Sequence, residues 1–361
     1  MKPKFIFITS SVTNSHCKNR IEDFIRHGFE IVVYSFRRDN EDIPLSLLYK
    51  PIIIGDIVSA NYVKRLFTYL KGICSILRRH NNDKNSLYFV FGLDLTLFLR
   101  LFGSRDISYI YEEADLVQTY GSNRILRKLL DFLDKSSILK ARIALLTSEG
   151  FVEYHFPETK CPDNIVIVPN KLNPTVVQYP VEQISTDISH LRFAFVGGAR
   201  FDSVDFFVET LLANFPQHEF HFYGPVEPRM NRFKEQYKNV FYHGRFKNPD
   251  DLPQIYKNVD LLLCTYDYRI DNVKYAEPNK LYEAIYFRKP IIVSSNTFLS
   301  KKVSNLGIGY HIDSLDEKSI ISFIQNLTLE SIKAKKKACA SILQEDCIIN
   351  DNELFLQIQN I

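Results

Sequence analysis

The chain has 361 residues, enough for two domains of ordinary size, and its 45% hydrophobic and 24% charged residues are those of a globular protein. A formal net charge of +3 is too small to mark a nucleic-acid binder. The six cysteines (17, 74, 161, 264, 339 and 347) form no C-x-x-C pair and no metal-ligand spacing, so they read as reduced thiols of a cytosolic protein. The FIFI run near the start is too short for a signal-peptide core, and no apolar run approaches the length of a bilayer span. A cytoplasmic protein is expected, at most one resting on the inner face of a membrane.

Strands and helices alternate from the start. KFIFIT (4–9) predicts a strand, followed by the polar loop SSVTNSH and a helix from about 17 to 27 that stops before Gly28. EIVVYSF (30–36) and PIIIGD (51–56) are the next strands, a helix fills about 60–79, and SLYFVFG (86–92) is a strand. A short helix over 94–102 leads to the strand ISYIYEE (107–113), a basic helix over 123–140, and the strands RIALLTS (142–148) and IVIVPN (165–170). Near-continuous apolar strands separated by helices predict a parallel sheet covered on both faces. No G-x-G-x-x-G follows the first strand, which argues against a dinucleotide fingerprint there.

Two features of this half point to chemistry. Glu112, Glu113 and Asp115 cluster just past the end of a buried strand, at the edge where open α/β sheets bind ligands. A carboxylate there is placed to act on a ligand as an acid or base; an acid-rich helix start is the competing reading. The segments 61–80 and 123–142 are amphipathic and basic, the first with no acidic residue. Such helices suit an anionic membrane surface, although any helix that covers a sheet also needs an apolar stripe.

Residues 171–190, with prolines at 174 and 180 and no clear periodicity, read as a linker. A second alternating series follows: strand 191–200, helix 203–214, strand 218–224, helix 227–237, strand 240–244, helix 249–258 and strand 260–266. Gly197-Gly198-Ala199-Arg200 ends the first of these strands, where small residues let amides approach a phosphate and Arg200 supplies a charged fork. The stretch EPNKLYEAIYFRKPIIVSSN (277–296) holds the densest signal. A helix begins at Pro278, Leu281, Ala284 and Ile285 form its core stripe, Arg288-Lys289 close it, and IIVSS is a buried strand. The amides at the helix start (Asn279, Lys280, Leu281) and the Lys280 ammonium are suited to a diphosphate, and Glu283 to two adjacent ribose hydroxyls. A surface helix with an i, i+3 ion pair is the bland alternative. The tail, 315–361, reads as mostly helical.

Pro278-x-Lys280-x-x-Glu283, followed by Lys-Pro-hydrophobic-Ser, resembles the donor motif of GT-B glycosyltransferases, most closely bacterial family 4 enzymes of surface-polysaccharide assembly (capsule or O-antigen). The resemblance implies an α/β chain of two Rossmann-like, doubly wound parallel-sheet domains facing a cleft. The domains would be 1–175 for the acceptor, completed by a C-terminal helix at about 345–361, then a linker at 176–190, and 191–344 for the nucleotide-sugar, with closure about 171–190. It further implies that Glu283 binds the donor ribose, Glu277 contacts the sugar, and Arg245 and Phe246 line the base pocket, with Tyr223 and Gly224 near the nucleotide. In the family seven residues commonly separate the two glutamates; here five do. On the acceptor side the resemblance points to Asn14 or His16, and to Asp115 or Glu113 as base. It implies no metal and no cofactor beyond the nucleotide-diphosphate-sugar donor, a glycan or polyprenyl-linked acceptor, and retention at the anomeric carbon. A GT-B sugar-nucleotide epimerase and a catalytically silent scaffold at the membrane share these features, whereas a nicotinamide oxidoreductase lacks its glycine fingerprint in both halves.

Overall fold

The computed structural model describes residues 4–39, 41–44, 46–58, 61–81, 83, 85–120, 123–182 and 184–359. These form two units, one within Met1–Val168 and Asn352–Ile361, the other Pro169–Asp351.

Seven strands build the first unit: β1 (Lys4–Thr9), β2 (Ile31–Arg38), β3 (Ile52–Ile57), β4 (Ser86–Phe91), β5 (Tyr109–Glu113), β6 (Ile143–Leu146) and β7 (Ile165–Ile167). All pairs are parallel, in the order β3-β2-β1-β4-β5-β6-β7. Parallel strands need crossovers, and the helices that supply them cover the sheet; hence runs such as FIFI and LYFVF are apolar on consecutive residues. On one face Phe5, Phe7, Phe24 and Phe89 pack ring to ring, with Phe7 stacked on Phe89 at 4.7 Å and Phe24 edge-on to Phe5 at 4.9 Å. The terminal helix Asn352–Gln359 adds Leu354, Phe355 and Ile358 to this same core, and Phe355 stacks on His27 at 3.7 Å. The expected helix starting at 60 begins at Tyr62; residue 60 itself, like 360 and 361, lies outside the described residues. The Glu149–His155 helix has no counterpart in the sequence reading, because seven residues are too few to show a period.

The second unit repeats the plan with β8 (Arg192–Val196), β9 (Glu219–Tyr223), β10 (Val240–Gly244), β11 (Leu261–Cys264), β12 (Ile291–Ser294) and β13 (Gly309–Ile312), in the order β10-β9-β8-β11-β12-β13. The stretch expected as a linker is docked on this unit instead. Val176 is fully buried in its core, Tyr179 donates to Asp250 (2.7 Å), and Thr186 donates to Asp260 while accepting from Lys336 (2.6 Å). The division therefore falls at 168/169 rather than 175, and residues 345–351 stay with the second unit, where Leu172 bridges to Ile348. The helix expected over 227–237 is a 3-10 turn, Pro228–Arg232, followed by the short helix Phe233–Gln236, and the helix expected over 249–258 is Leu252–Lys257.

Arg288 and Lys289 do not close the helix of the donor stretch. It ends at Tyr286, Arg288 takes a left-handed φ of 54°, and Lys289 turns inward and is buried. Burial, and then the charge of Lys336, push the Lys289 ammonium down to about 7 from 10.5. Between those values the unfolded chain holds a proton that the folded chain has released, so this residue makes stability rise with pH across that window. Lys289→Met should accordingly stabilise the fold at pH 7, by about 1–2 kcal/mol, with the advantage shrinking towards pH 10. Melting curves at the two pH values check this; an advantage independent of pH would show that packing, not charge, is responsible.

Candidate active site

In the second sheet the strand order reverses between β8 and β11, and ligands of open α/β sheets bind beyond the C-terminal ends of the strands at such a point. Three glycines turn the chain there with positive φ: Gly197 (123°), Gly224 (119°) and Gly244 (73°). Gly197 N–H donates to the Tyr223 carbonyl and Gly224 N–H to that of Gly244, both at 2.7 Å, so the three turns are stitched edge to edge. A Cβ on Gly224 would sit 2.4 Å from the Gly197 oxygen, and one on Gly197 would sit 2.8 Å from Lys280 Nζ. The Lys280 ammonium thus lies against the bare Cα of Gly197, 5.5 Å from the centre of the Phe195 ring.

Lys280 is the second residue of the helix Asn279–Tyr286, whose N-cap, Pro278, has no side chain to satisfy the first-turn amides. One turn on, Glu283 is buried. Its Oε2 accepts from Tyr256 (2.5 Å) and its Oε1 from Asn279 Nδ2 (2.8 Å). Burial raises the Glu283 pKa, and the Lys280 charge and the Tyr256 hydroxyl oppose the rise. Leu281 is a core residue, as the stripe requires, and its amide already bonds the Pro278 carbonyl at 3.0 Å.

The other donor-side candidates scatter. Tyr223 stacks face to face on His243 at 4.1 Å, and His243 Nε2 lies 3.0 Å from His221 Nδ1, which makes a ladder of rings across β9 and β10. Arg200 is exposed with its guanidinium 5.2 Å from the Phe201 ring centre. Gly198 lies in the same turn, Arg245 is exposed, and Phe246 packs half-buried on the core. Glu277 is buried, accepts from the Tyr282 hydroxyl and pairs with Lys302 at 2.8 Å. The sequence reading missed two supporting residues. Lys302 lies 25 positions from Glu277, and Tyr256 looks like an ordinary helix residue until Glu283 is placed.

The first sheet reverses between β1 and β4. After β1, the Glu41 carboxylate holds the loop by accepting from Ser11 Oγ (2.8 Å), Val12 N–H (2.8 Å) and Thr13 Oγ1 (2.5 Å). Asn14 is spent as the N-cap of the Ser15–Arg26 helix, accepting from the amides of His16 and Cys17. His16 Nε2 reaches Glu112 Oε1 at 2.5 Å, and Arg20, one turn on and buried, meets the same carboxylate at 3.3 and 3.4 Å. Burial pushes Glu112 up, but the charges of Arg20 and His16 outweigh it and leave the carboxyl below its ordinary range. An ionised carboxylate on Nε2 fixes the tautomer of His16, with Nδ1 left as the basic nitrogen.

Glu113 corrects an expectation. Side chains alternate along β5, so Glu113 points to the opposite face from Glu112, is wholly buried and bonds His155 Nε2 at 3.0 and 3.1 Å. A base has to reach its substrate, and a carboxyl in that position does not. Asp115, beyond the strand, is exposed.

Two doubly wound parallel units in one chain are the architecture of the GT-B fold. A family model described as "Glycosyl transferases group 1" matches residues 190–328, all of them within the second unit. Among solved structures, the chain is similar to the sucrose-phosphate synthase of Thermosynechococcus elongatus (TM-score 0.70, 13% identity, covering 99% of this chain and 98% of that one). It is similar also to the lipopolysaccharide outer core galactosyltransferase WaaB (0.66, 17%, 99% and 98%). A protein from Listeria monocytogenes described as a UDP-N-acetylglucosamine 2-epimerase is comparable (0.64, 14%, 100% and 96%). At these identities the likeness carries the fold. No protein of curated function matches the sequence.

Proposed function

We propose that this protein transfers a sugar from a nucleotide-diphosphate-sugar to a glycan or lipid-linked acceptor, in the assembly of a bacterial surface polysaccharide. The observation that carries the reading is the Lys280 ammonium seated on the bare Cα of Gly197, at the sheet's switch point and one helical turn from buried Glu283. A cation and an open helix N-terminus meet there, the environment a diphosphate needs both when bound and as it leaves with growing charge. Glu283, fixed by Tyr256 and Asn279, serves the ribose. Arg200 adds charge from the Gly197 turn. Retention is carried over from the family resemblance and is read directly from the product's anomeric coupling. A thermal-shift screen with UDP-, GDP-, dTDP- and CMP-sugars tests the donor site, and absence of any shift counts against it.

On the acceptor side the reading centres on His16 rather than Glu113, with Asp115 as a second contact. Glu112, itself held by Arg20, engages Nε2, and Nδ1 is the nitrogen that would accept a hydroxyl proton. His16→Gln should lower kcat by about 10²-fold and leave the donor KM close to the wild-type value, and Glu112→Gln should follow it in part. Unchanged kcat in both would remove His16 from the reaction.

Peripheral membrane contact fits the same unit. No helix among the described residues is long and apolar enough to cross a membrane. The helices Tyr62–Arg79, Leu93–Phe102 and Arg124–Lys140 lie side by side. They leave Phe67 62%, Ile125 82% and Phe132 69% exposed among Lys64, Lys71, Arg124 and Lys128. Apolar side chains of that exposure ringed by lysine and arginine match an anionic bilayer. Arg124→Glu with Lys128→Glu should abolish co-sedimentation with anionic liposomes; binding that survives both changes counts against this surface.

The epimerase is the second reading, favoured by the Listeria neighbour. It predicts conversion of a sugar-nucleotide with no acceptor present, which a transferase does not perform.

A further inference from the structure

Glu113 has no place at the acceptor, but its surroundings assign it another role. Its carboxylate, that of Asp134 and the imidazole of His155 come from three separate elements, β5, the Arg124–Lys140 helix and the Glu149–His155 helix. One ligand atom from each falls within 4.8 Å of the others. Glu113 Oε2 lies 3.0 Å from His155 Nε2, and Asp134 Oδ2 lies 3.9 Å from that same nitrogen. The three side chains are 0%, 0% and 2% exposed. Asp134 Oδ1 accepts from the Tyr111 hydroxyl at 2.8 Å, while Oδ2, equally buried, has no hydrogen-bond partner.

We propose that these three side chains form a structural divalent-cation site of the zinc class, inside the first unit and separate from the donor chemistry. Two carboxylates and a neutral imidazole, once both acids are ionised, carry a charge of −2 in a fully buried place, which a divalent ion would balance. Zinc takes four ligands at about 2.0–2.2 Å, which in a tetrahedron sets neighbouring donors about 3.3–3.6 Å apart. The observed separations of 3.0 and 3.9 Å bracket that spacing. A mixed oxygen and nitrogen set suits zinc better than magnesium or calcium, which take oxygen alone and more of it. Tyr111 orients Asp134 in the manner of an outer-shell partner and turns the unpartnered Oδ2 towards the other two ligands. Both oxygens of Glu113 stand equally near the imidazole, so either can serve as its donor. The ion would pin the two helices to β5. Cysteine and histidine spacing gives no hint of it, because the ligands are brought together only by the fold.

A shared proton is the rival occupant. Burial, with the charges of Asp115 and Asp131 behind it, pushes Glu113 up to about 8, and burial and the charge of Glu113 raise Asp134, so a proton between the carboxyls also relieves the charge. The full-length protein, expressed with zinc in the medium and desalted, should carry close to one equivalent of zinc per chain by elemental analysis. Chelator-treated protein should melt several degrees lower and recover on addition of zinc chloride. Asp134→Asn and His155→Gln should each remove the metal, and Lys280→Ala should keep it. Unmodified protein with no bound metal and a melting temperature indifferent to zinc overturns the proposal. So does a full equivalent of zinc retained by both ligand variants, which places the ion elsewhere.

Discussion

Lys280→Ala is expected to remove most of the thermal stabilisation that a sugar-nucleotide gives the wild-type protein. Nζ is the charged group packed on Gly197 at the switch point of the second sheet, and under the proposed function its loss would leave a diphosphate to backbone amides and Arg200. A charge-assisted hydrogen bond to an anion is worth about 1.5–3 kcal/mol, so donor affinity should fall roughly 10- to 150-fold. The variant also loses the charge that opposes the burial of Glu283, which should make that carboxyl still easier to protonate and further weaken its hold on the ribose. Lys280→Arg should rescue little. A guanidinium is broader than an ammonium, and the lysine Nζ already sits where a Cβ on Gly197 would be crowded at 2.8 Å. Thermal shifts with the four nucleotide classes read the result directly. A shift equal to the wild-type one in both variants would move the donor site away from this helix.

Gly224→Ala should be among the most damaging single substitutions in the second unit. The residue sits at φ 119°, which an L side chain rarely adopts, and the new methyl would meet the Gly197 carbonyl oxygen at 2.4 Å. The collision is with backbone that is itself hydrogen-bonded to Tyr223, so no rotamer change relieves it. Strain and displacement together should cost about 3 kcal/mol or more. Gly198→Ala is the matched control. Its nearest neighbour is Pro225 Cγ at 3.9 Å and its φ is not positive, so its melting temperature should stay within the range of an ordinary surface change, about 0.5 kcal/mol. Equal melting temperatures for the two variants would mean that the turn relaxes freely, and the tight stitching of Gly197, Gly224 and Gly244 would then not be what shapes these turns.

The sequence by itself determined the strands β1 to β12 and the larger helices between them. Parallel strands buried on both faces must be apolar at successive positions, and that pattern survives without any knowledge of partners. It also determined the Lys280–Glu283 pair, since two residues three apart on a helix share a face wherever the helix lies. The relation of His16 to Arg20 was not among these, because the sequence reading began that helix at 17 and the carboxylate both residues meet is 92 residues from Arg20. The tertiary structure alone decided the rest. Adjacent on one strand, Glu112 and Glu113 look like a single acidic cluster, yet the pleat sends one to His16 and the other to His155, and burial gives them different work. Residues 171–190 carry no periodicity because they are tied down by single long-range contacts, Val176 in the core and Thr186 between Asp260 and Lys336, which leave no mark on local sequence. Periodicity records which face of an element is covered; it does not record what covers it, and side-chain chemistry at a site is set by that second fact.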